Sequence, residues 1–184
     1  MLFSYDALIA TGAGDPRERH VFACALAIAG RAPAVPLSEG LGLARAQLVG
    51  LIEAYFPALA SLAAAIPADA AAGANALEEP DLRQLFLDHR SRGVIEEEWL
   101  AAILARRSLG ANHLWQDLGL FHRRELSGLL DRHFHALAVQ NVGDMKWKKF
   151  FYRQLCARDG IFVCKAPNCA VCTDYSVCFG NEDA

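Results

Sequence analysis

Four of the six cysteines of this chain lie close together near the C-terminus, at a spacing suited to metal binding. They form the pattern C-x4-C-x2-C-x5-C, made up of Cys164, Cys169, Cys172 and Cys178. Thiolates are soft ligands that select zinc, copper(I) or iron–sulfur clusters over magnesium and calcium. Proline, asparagine and aspartate between the cysteines favour turns, which let a short chain wrap around a compact inorganic core. The sequence therefore predicts a thiolate metal site in this loop.

The spacing of the loop favours an iron–sulfur cluster but leaves zinc open. Structural zinc sites commonly use two C-x2-C knuckles, whereas this loop has one. Four cysteines within fifteen residues suit the ligation of an iron–sulfur cubane, although the pattern differs from the ferredoxin run C-x2-C-x2-C-x3-C-P. On this chemistry alone the loop could hold an iron–sulfur cluster, zinc or no metal, which leaves open a small iron–sulfur electron-transfer or redox-sensing protein and a zinc-stabilised interaction module.

Composition and charge argue against several other functions. The 184 residues include 18 Lys+Arg and 21 Asp+Glu, a formal net charge of -3, so no global basic field attracts nucleic acid or a membrane surface. No apolar run has the length of a membrane span, and the N-terminus lacks the basic region of a signal peptide. We therefore expect a cytoplasmic protein with reduced thiols. No P-loop, GxGxxG or GxSxG motif stands in a strand–helix setting, so we expect no enzymatic catalysis.

The elements that must position the loop are predicted to be helices. Caps and apolar periodicity indicate helices at 16–29, 44–56, 59–66, 81–90, 95–107, 122–140 and 145–158. We expect a mainly α fold in which residues 1–160 form a helical domain with a low-complexity linker near 67–79. Residues 161–184 are expected to form an irregular, cysteine-rich cluster-binding tail. Three acids, Glu96, Glu97 and Glu98, are predicted to complement the dipole of the helix they begin.

The last predicted helix has one packing face and one basic face. We expect Asp144 to cap its N-terminus and Gly160 to follow its end. At about 100° per residue, one side of the helix carries Trp147, Phe151 and Leu155. Nearly opposite lies the basic face, defined here as Lys146, Lys149 and Arg153.

From residue 112 onward the sequence resembles the NifQ family of nitrogen-fixation proteins. The resemblance covers residues 112–180 and is carried by NHLWQDLGL, RELSGLLDRHF, DMKWKKFFYRQLC, the cysteine loop and the closing CFG. It implies a molybdenum–iron–sulfur protein that donates molybdenum to the biosynthesis of the nitrogenase iron–molybdenum cofactor, with the four loop cysteines as ligands. The implied partners are the cofactor-assembly scaffold and the nitrogenase iron protein, with molybdate or a molybdenum-storage source upstream.

Further residues are auxiliary candidates around this site. His113, in the HLWQ motif, and His133, on an apolar stripe, could complete a metal shell, but a hydrogen-bonded structural histidine is the preferred interpretation for each. Cys156 could be a reserve ligand or redox thiol, although we expect it to be packed, as we do for Cys24. The basic face could attract molybdate or an acidic recipient protein, and its simpler interpretation is a solvated helix face.

Overall fold

The structure is a computed structural model that describes residues 4–158, 160 and 175–179. Regular structure in this part of the chain is entirely helical, which confirms the predicted fold class for these residues. The helices are α1 (Tyr5–Thr11), α2 (Pro16–Ala29), α3 (Leu37–Leu41), α4 (Arg45–Tyr55), α5 (Ala60–Ala65), α6 (Glu79–Asp88), α7 (Ile95–Ser108), α8 (Leu114–Asp117), α9 (Arg123–His133), α10 (His135–Ala138), α11 (Trp147–Arg158) and α12 (Tyr175–Cys178), with a 3-10 turn at Pro57–Leu59. Among the described helices, none has the length and apolarity needed to cross a bilayer.

Helix α7 lies at the centre of the core. Every residue from 99 to 105 is buried, so this stretch is enclosed on all sides, as its nearly unbroken apolar sequence predicts. Helices α3, α4, α6 and α8 pack against it. Three small side chains, Ala101, Ala102 and Ala105, are fully buried and allow these neighbours to approach closely.

Helix α2 begins and ends where the sequence predicts. The Asp15 carboxylate accepts a hydrogen bond from the backbone N–H of Arg17 at 2.8 Å, Pro16 occupies the first helical position, and Gly30 follows the last. Cys24 lies on the buried side of this helix with 2% exposure, and burial raises the pKa of its thiol to about 12. Cys24 is thus a packed cysteine, as predicted.

The predicted low-complexity linker crosses one end of α7 and contacts it through Arg106. Helix α5 precedes this segment as expected, and α6 begins at Glu79. The guanidinium of Arg106 donates to the carbonyls of Ala72 and Ala74 and, at 2.9 Å, to the fully buried carboxylate of Glu79. These bonds tie the non-helical segment to the core helix.

The prediction of one continuous helix over 122–140 is wrong. The chain forms α9 and α10, which are separated at Phe134, where φ is -138° and ψ is 45°. The Phe134 ring is fully buried and packs on Phe86 with ring centroids 5.2 Å apart. At the same point Ser91 accepts the His135 backbone N–H at 2.8 Å and donates its own N–H to the His133 carbonyl at 3.0 Å. Tertiary contacts therefore satisfy backbone groups that a continuous helix would have paired internally.

The predicted cap of the last helix is also wrong. Helix α11 begins at Trp147, three residues after Asp144, which has a φ of 51° and whose carboxylate binds Arg123. Lys146 accordingly precedes the helix. The apolar side is as predicted, because Trp147, Phe151 and Leu155 are all buried. On the opposite side Lys149 and Arg153 are exposed, and α11 packs against α6.

Candidate metal-cluster site and basic cleft

Cys178 is the loop cysteine within the described residues, and it is fixed to the start of α11. It ends the single turn of α12 and is half-buried against the core. Its carbonyl accepts the backbone N–H of Lys146 at 2.8 Å, and the Lys146 ammonium donates to the carbonyl of Ser176 at 3.3 Å. The predicted ligands Cys164, Cys169 and Cys172 lie outside the described residues, as does most of the predicted tail.

Phe179 provides a second attachment for this segment. Its ring is partly buried against the core and lies over Gly143. A Cβ atom placed on Gly143 would lie 3.1 Å from Cε1 of Phe179, closer than ordinary van der Waals contact. The absence of a side chain at Gly143 thus lets Phe179, and with it Cys178, sit against the body of the protein.

Side-chain hydrogen bonds hold the turn at residues 141–145, which leads into the Lys146 N–H that binds the Cys178 carbonyl. Asn141 pairs with the backbone of Met145 in both directions, accepting its N–H and donating to its carbonyl, each at 2.8 Å. Arg123 also donates to the Met145 carbonyl at 3.0 Å and binds Asp144. Lys146 follows immediately, so its position is set by this network.

A cleft of about 520 Å³ opens beside Cys178, and we call it the basic cleft. Its described lining residues are Ala111, Asn112, His113, Leu114, Gln116, Lys146, Lys148, Lys149 and Val177. None of these residues is acidic. The cleft unites auxiliary candidates from two distant parts of the sequence, namely His113 with Lys146 and Lys149. Arg153, the third member of the predicted basic face, does not line it.

Lys148 was not predicted to belong to a functional site, but it holds the two sides of the basic cleft together. Its ammonium donates to the carbonyl of Gly110 at 2.7 Å and to the carboxylate of Asp117. The side chains of Lys148 and Asp117 are largely buried, with 17% and 10% exposure respectively. On the other side of the cleft Gln116 accepts the backbone N–H of His113 at 3.1 Å. The sequence shows the acid in NHLWQD and the lysine in MKWKK, but the 31 positions that separate them give no indication that the two side chains pair.

His133 lies in a buried ion cluster and not in the basic cleft. Its ring is 1% exposed, with Nε2 3.1 Å from Oε1 of Glu18 and Nδ1 3.7 Å from Oε1 of Glu97. Arg92 and Arg132 both bind Glu18. Burial lowers the pKa of His133; the two arginines act in the same direction and the two glutamates oppose them. His133 is therefore a buried member of an ion cluster, and its Nδ1 has no hydrogen-bond partner among the described residues.

The remaining auxiliary candidate, Cys156, is a half-buried free thiol on α11. Within the described part of the chain, no three histidine, cysteine or acidic side chains are grouped so that they could hold a metal ion. The histidines and acids of the helical body thus offer no alternative metal centre there, and the metal-binding hypothesis continues to rest on the cysteine loop.

Fold and site together define a small helical protein that places the end of a four-cysteine motif beside a basic cleft. A family model described as NifQ matches residues 21–180. The chain therefore belongs to the NifQ family, and the match extends well before residue 112, where the resemblance of the sequence motifs begins.

Individual relatives agree with this assignment. The chain is 42% identical to protein NifQ of Azotobacter vinelandii over 152 residues, which cover 77% of this chain and 78% of the relative. It is 40% identical to the NifQ homolog of Sinorhizobium fredii over 174 residues, covering 90% of this chain and 73% of the relative. Protein NifQ of Rhodobacter capsulatus is 37% identical over 147 residues, covering 80% and 79%. No solved structure matches the chain.

Proposed function

We propose that this chain carries molybdenum in an iron–sulfur cluster and donates it to the biosynthesis of the nitrogenase iron–molybdenum cofactor. The proposed ligands are Cys164, Cys169, Cys172 and Cys178. The observation that carries the proposal is the intact four-cysteine pattern in a chain that belongs to the NifQ family. The proposed role is transfer of cargo by ligand exchange and not catalytic turnover.

The donor set fits this cargo. Four thiolates are soft ligands that suit iron and molybdenum in a sulfide-bridged core, and hard cations such as magnesium would not select them. Thiolates attached to a cluster carry negative charge, and the ammonium groups of Lys146 and Lys149 lie on the side of the body where Cys178 is fixed.

The proposed partners follow from the family. Molybdenum reaches the chain as molybdate or from a molybdenum-storage source, and it leaves to the cofactor-assembly scaffold, with the nitrogenase iron protein taking part. The domain division proposed with this function assigns residues 1–160 to a helical body and 161–184 to a cluster-binding tail. The attachment of Cys178 to Lys146 supports a tail that returns to the body at its last ligand.

Metal analysis of anaerobically purified protein tests the proposal. Wild-type protein should contain both iron and molybdenum, and replacing any one of the four loop cysteines by serine should lower both contents, because each lost thiolate leaves a metal under-coordinated. Cys24→Ala is the matched control, since that buried thiol lies in α2 and should leave both contents unchanged.

Three results would overturn the proposal. Wild-type iron and molybdenum in all four serine variants would disprove the ligand assignment. Iron with reversible redox behaviour but without molybdenum would support the electron-transfer class, and stoichiometric zinc alone would support the interaction module.

A further inference from the structure

In the part of the chain that the structure describes, the basic cleft contains more positive charge than its contacts neutralise. Three lysines line it, and no acidic side chain among the described residues does. Lys148 is compensated by Asp117, which lies behind the lining. No acid of the described residues pairs with Lys146 or Lys149, so the described lining presents two positive charges, one on each ammonium. That charge matches a dianion.

The lysine ammonium groups retain donors for such a ligand. An ammonium has three N–H donors, and Lys146 directs one of them to the Ser176 carbonyl. Within the described residues this is the one acceptor of the Lys146 ammonium, which leaves two of its donors available there. Lys149 is exposed on the first turn of α11 and lines the same cleft. N–H donors from two ammonium groups on one cleft suit the oxygens of a tetrahedral oxyanion.

The size of the cleft indicates how such an anion would be held. A volume of about 520 Å³ is far larger than the roughly 10–15 Å³ that a single water needs. A four-oxygen anion fits with much of its water shell retained. Binding in a hydrated site is weak and depends on salt, because mobile ions screen exposed charges over about 10 Å at 0.1 M. The cleft is therefore suited to capture and release.

The cleft also adjoins the proposed cluster site. Val177, one of its lining residues, immediately precedes Cys178 in the chain. An anion between Lys146 and Lys149 would thus lie next to the segment that carries the last thiolate. We propose that the basic cleft binds molybdate, a tetrahedral dianion, and so presents molybdenum beside the cysteine loop; this assignment rests on the function proposed above.

Equilibrium dialysis of the full-length, cluster-free chain against molybdate tests the cleft directly, with bound molybdenum measured by elemental analysis. Wild-type protein should bind one molybdate per chain. Lys146→Gln combined with Lys149→Gln should weaken binding at least tenfold, equivalent to about 1.4 kcal/mol. Lys149→Gln alone should weaken it several-fold at an exposed position where folding is not at risk. Equal binding by wild type and both variants would overturn the proposal.

Two matched controls separate the cleft from general surface charge and from the thiols. Arg31→Gln combined with Arg124→Gln removes two exposed positive charges outside the cleft and should leave molybdate binding unchanged. A chain with all four loop cysteines changed to serine should still bind molybdate, which separates this test from that of the proposed function. Loss of binding in either control would contradict the assignment.

Competition identifies the recognised chemistry. Tungstate and sulfate, which are also tetrahedral dianions, should displace molybdate, whereas chloride at matched ionic strength should displace much less. Displacement by chloride as effective as by sulfate would show diffuse charge attraction and overturn the proposal of a dianion site.

Discussion

The buried carboxylate of Glu97 should be one of the strongest single contributors to the stability of the helical body. It lies at the third position of α7, whose N-cap, Val94, has no side-chain acceptor. The Glu97 carboxylate instead accepts the backbone N–H groups of the two residues before the N-cap, from Gly93 at 2.7 Å and from Arg92 at 3.0 Å, and so ties the incoming chain to the first turn. Its side chain is 0% exposed, so the carboxylate makes these bonds away from bulk water.

The magnitude follows from what Glu97→Ala would leave behind. Two backbone N–H groups would lose a charged acceptor, and a hydrogen bond to a charged group contributes about 1.5–3 kcal/mol. We therefore expect the free energy of unfolding to fall by about 3–5 kcal/mol. At about 2–4 °C per kcal/mol for a chain of this length, the melting temperature should fall by about 10 °C.

The adjacent residue provides a matched control. Glu98 carries the same charge on the same helical turn, but its side chain is 44% exposed and pairs with Arg90 at the surface. Glu98→Ala should change stability by less than about 1 kcal/mol. Urea and thermal unfolding followed by circular dichroism would compare the two variants. A difference between them below about 1 kcal/mol would refute the argument, because it would mean that Glu97 gains little from burial and hydrogen bonding.

Three further predictions concern protonation, the apo state and the seat of Cys178. Burial lowers the pKa of His133 below the unfolded value of about 6.5. The free energy of unfolding should therefore fall as the pH drops below that value, by at most about 1.4 kcal/mol per pH unit. His133→Asn should flatten this slope in urea titrations at several pH values. Hydrogen exchange in residues 4–158 should be the same with and without the cluster, and an unfolded apo body would contradict this. Gly143→Ala should displace Phe179 and lower iron and molybdenum content, whereas Gly128→Ala, with open space around it, should not.

The elements that sequence predicted well are those whose signals are local. Asp15 and Pro16 begin α2 through contacts within one turn, and the three acids lie in the first turn of α7 as predicted. The apolar side of α11 follows from periodicity over three turns. The family match agrees with the resemblance recognised from motifs in the C-terminal part, where residue types and spacing are most specific.

The features that sequence missed depend on distant partners. The break at Phe134 requires Ser91, which lies 44 residues from the His135 N–H it accepts. The loss of the predicted cap follows from Arg123, which binds Asp144 across 21 residues. In both cases a local helical preference is outweighed by hydrogen bonds that exist only in the folded chain.

The basic cleft is a third feature that depends on residues distant in the sequence. His113 and Lys149 have no sequence relationship that would bring them together. The contact between Lys148 and Asp117, 31 residues apart, holds α8 against the start of α11 and so places them on one cleft. Sequence could select the candidates by residue type, but only the packing of α8 and α11 shows which of them share a site.

Lys146 connects the basic cleft with the proposed cluster site through two chemically separate groups. Its backbone N–H holds the carbonyl of Cys178, whereas its ammonium lines the cleft. Lys146→Gln removes the charge and keeps the backbone bond, while Gly143→Ala disturbs the seat of Cys178 and keeps the charge. The lysine variant alone should therefore lose molybdate binding, and the glycine variant should lose cluster occupancy. That result would show that the charge of Lys146 recruits the anion and that backbone geometry positions Cys178.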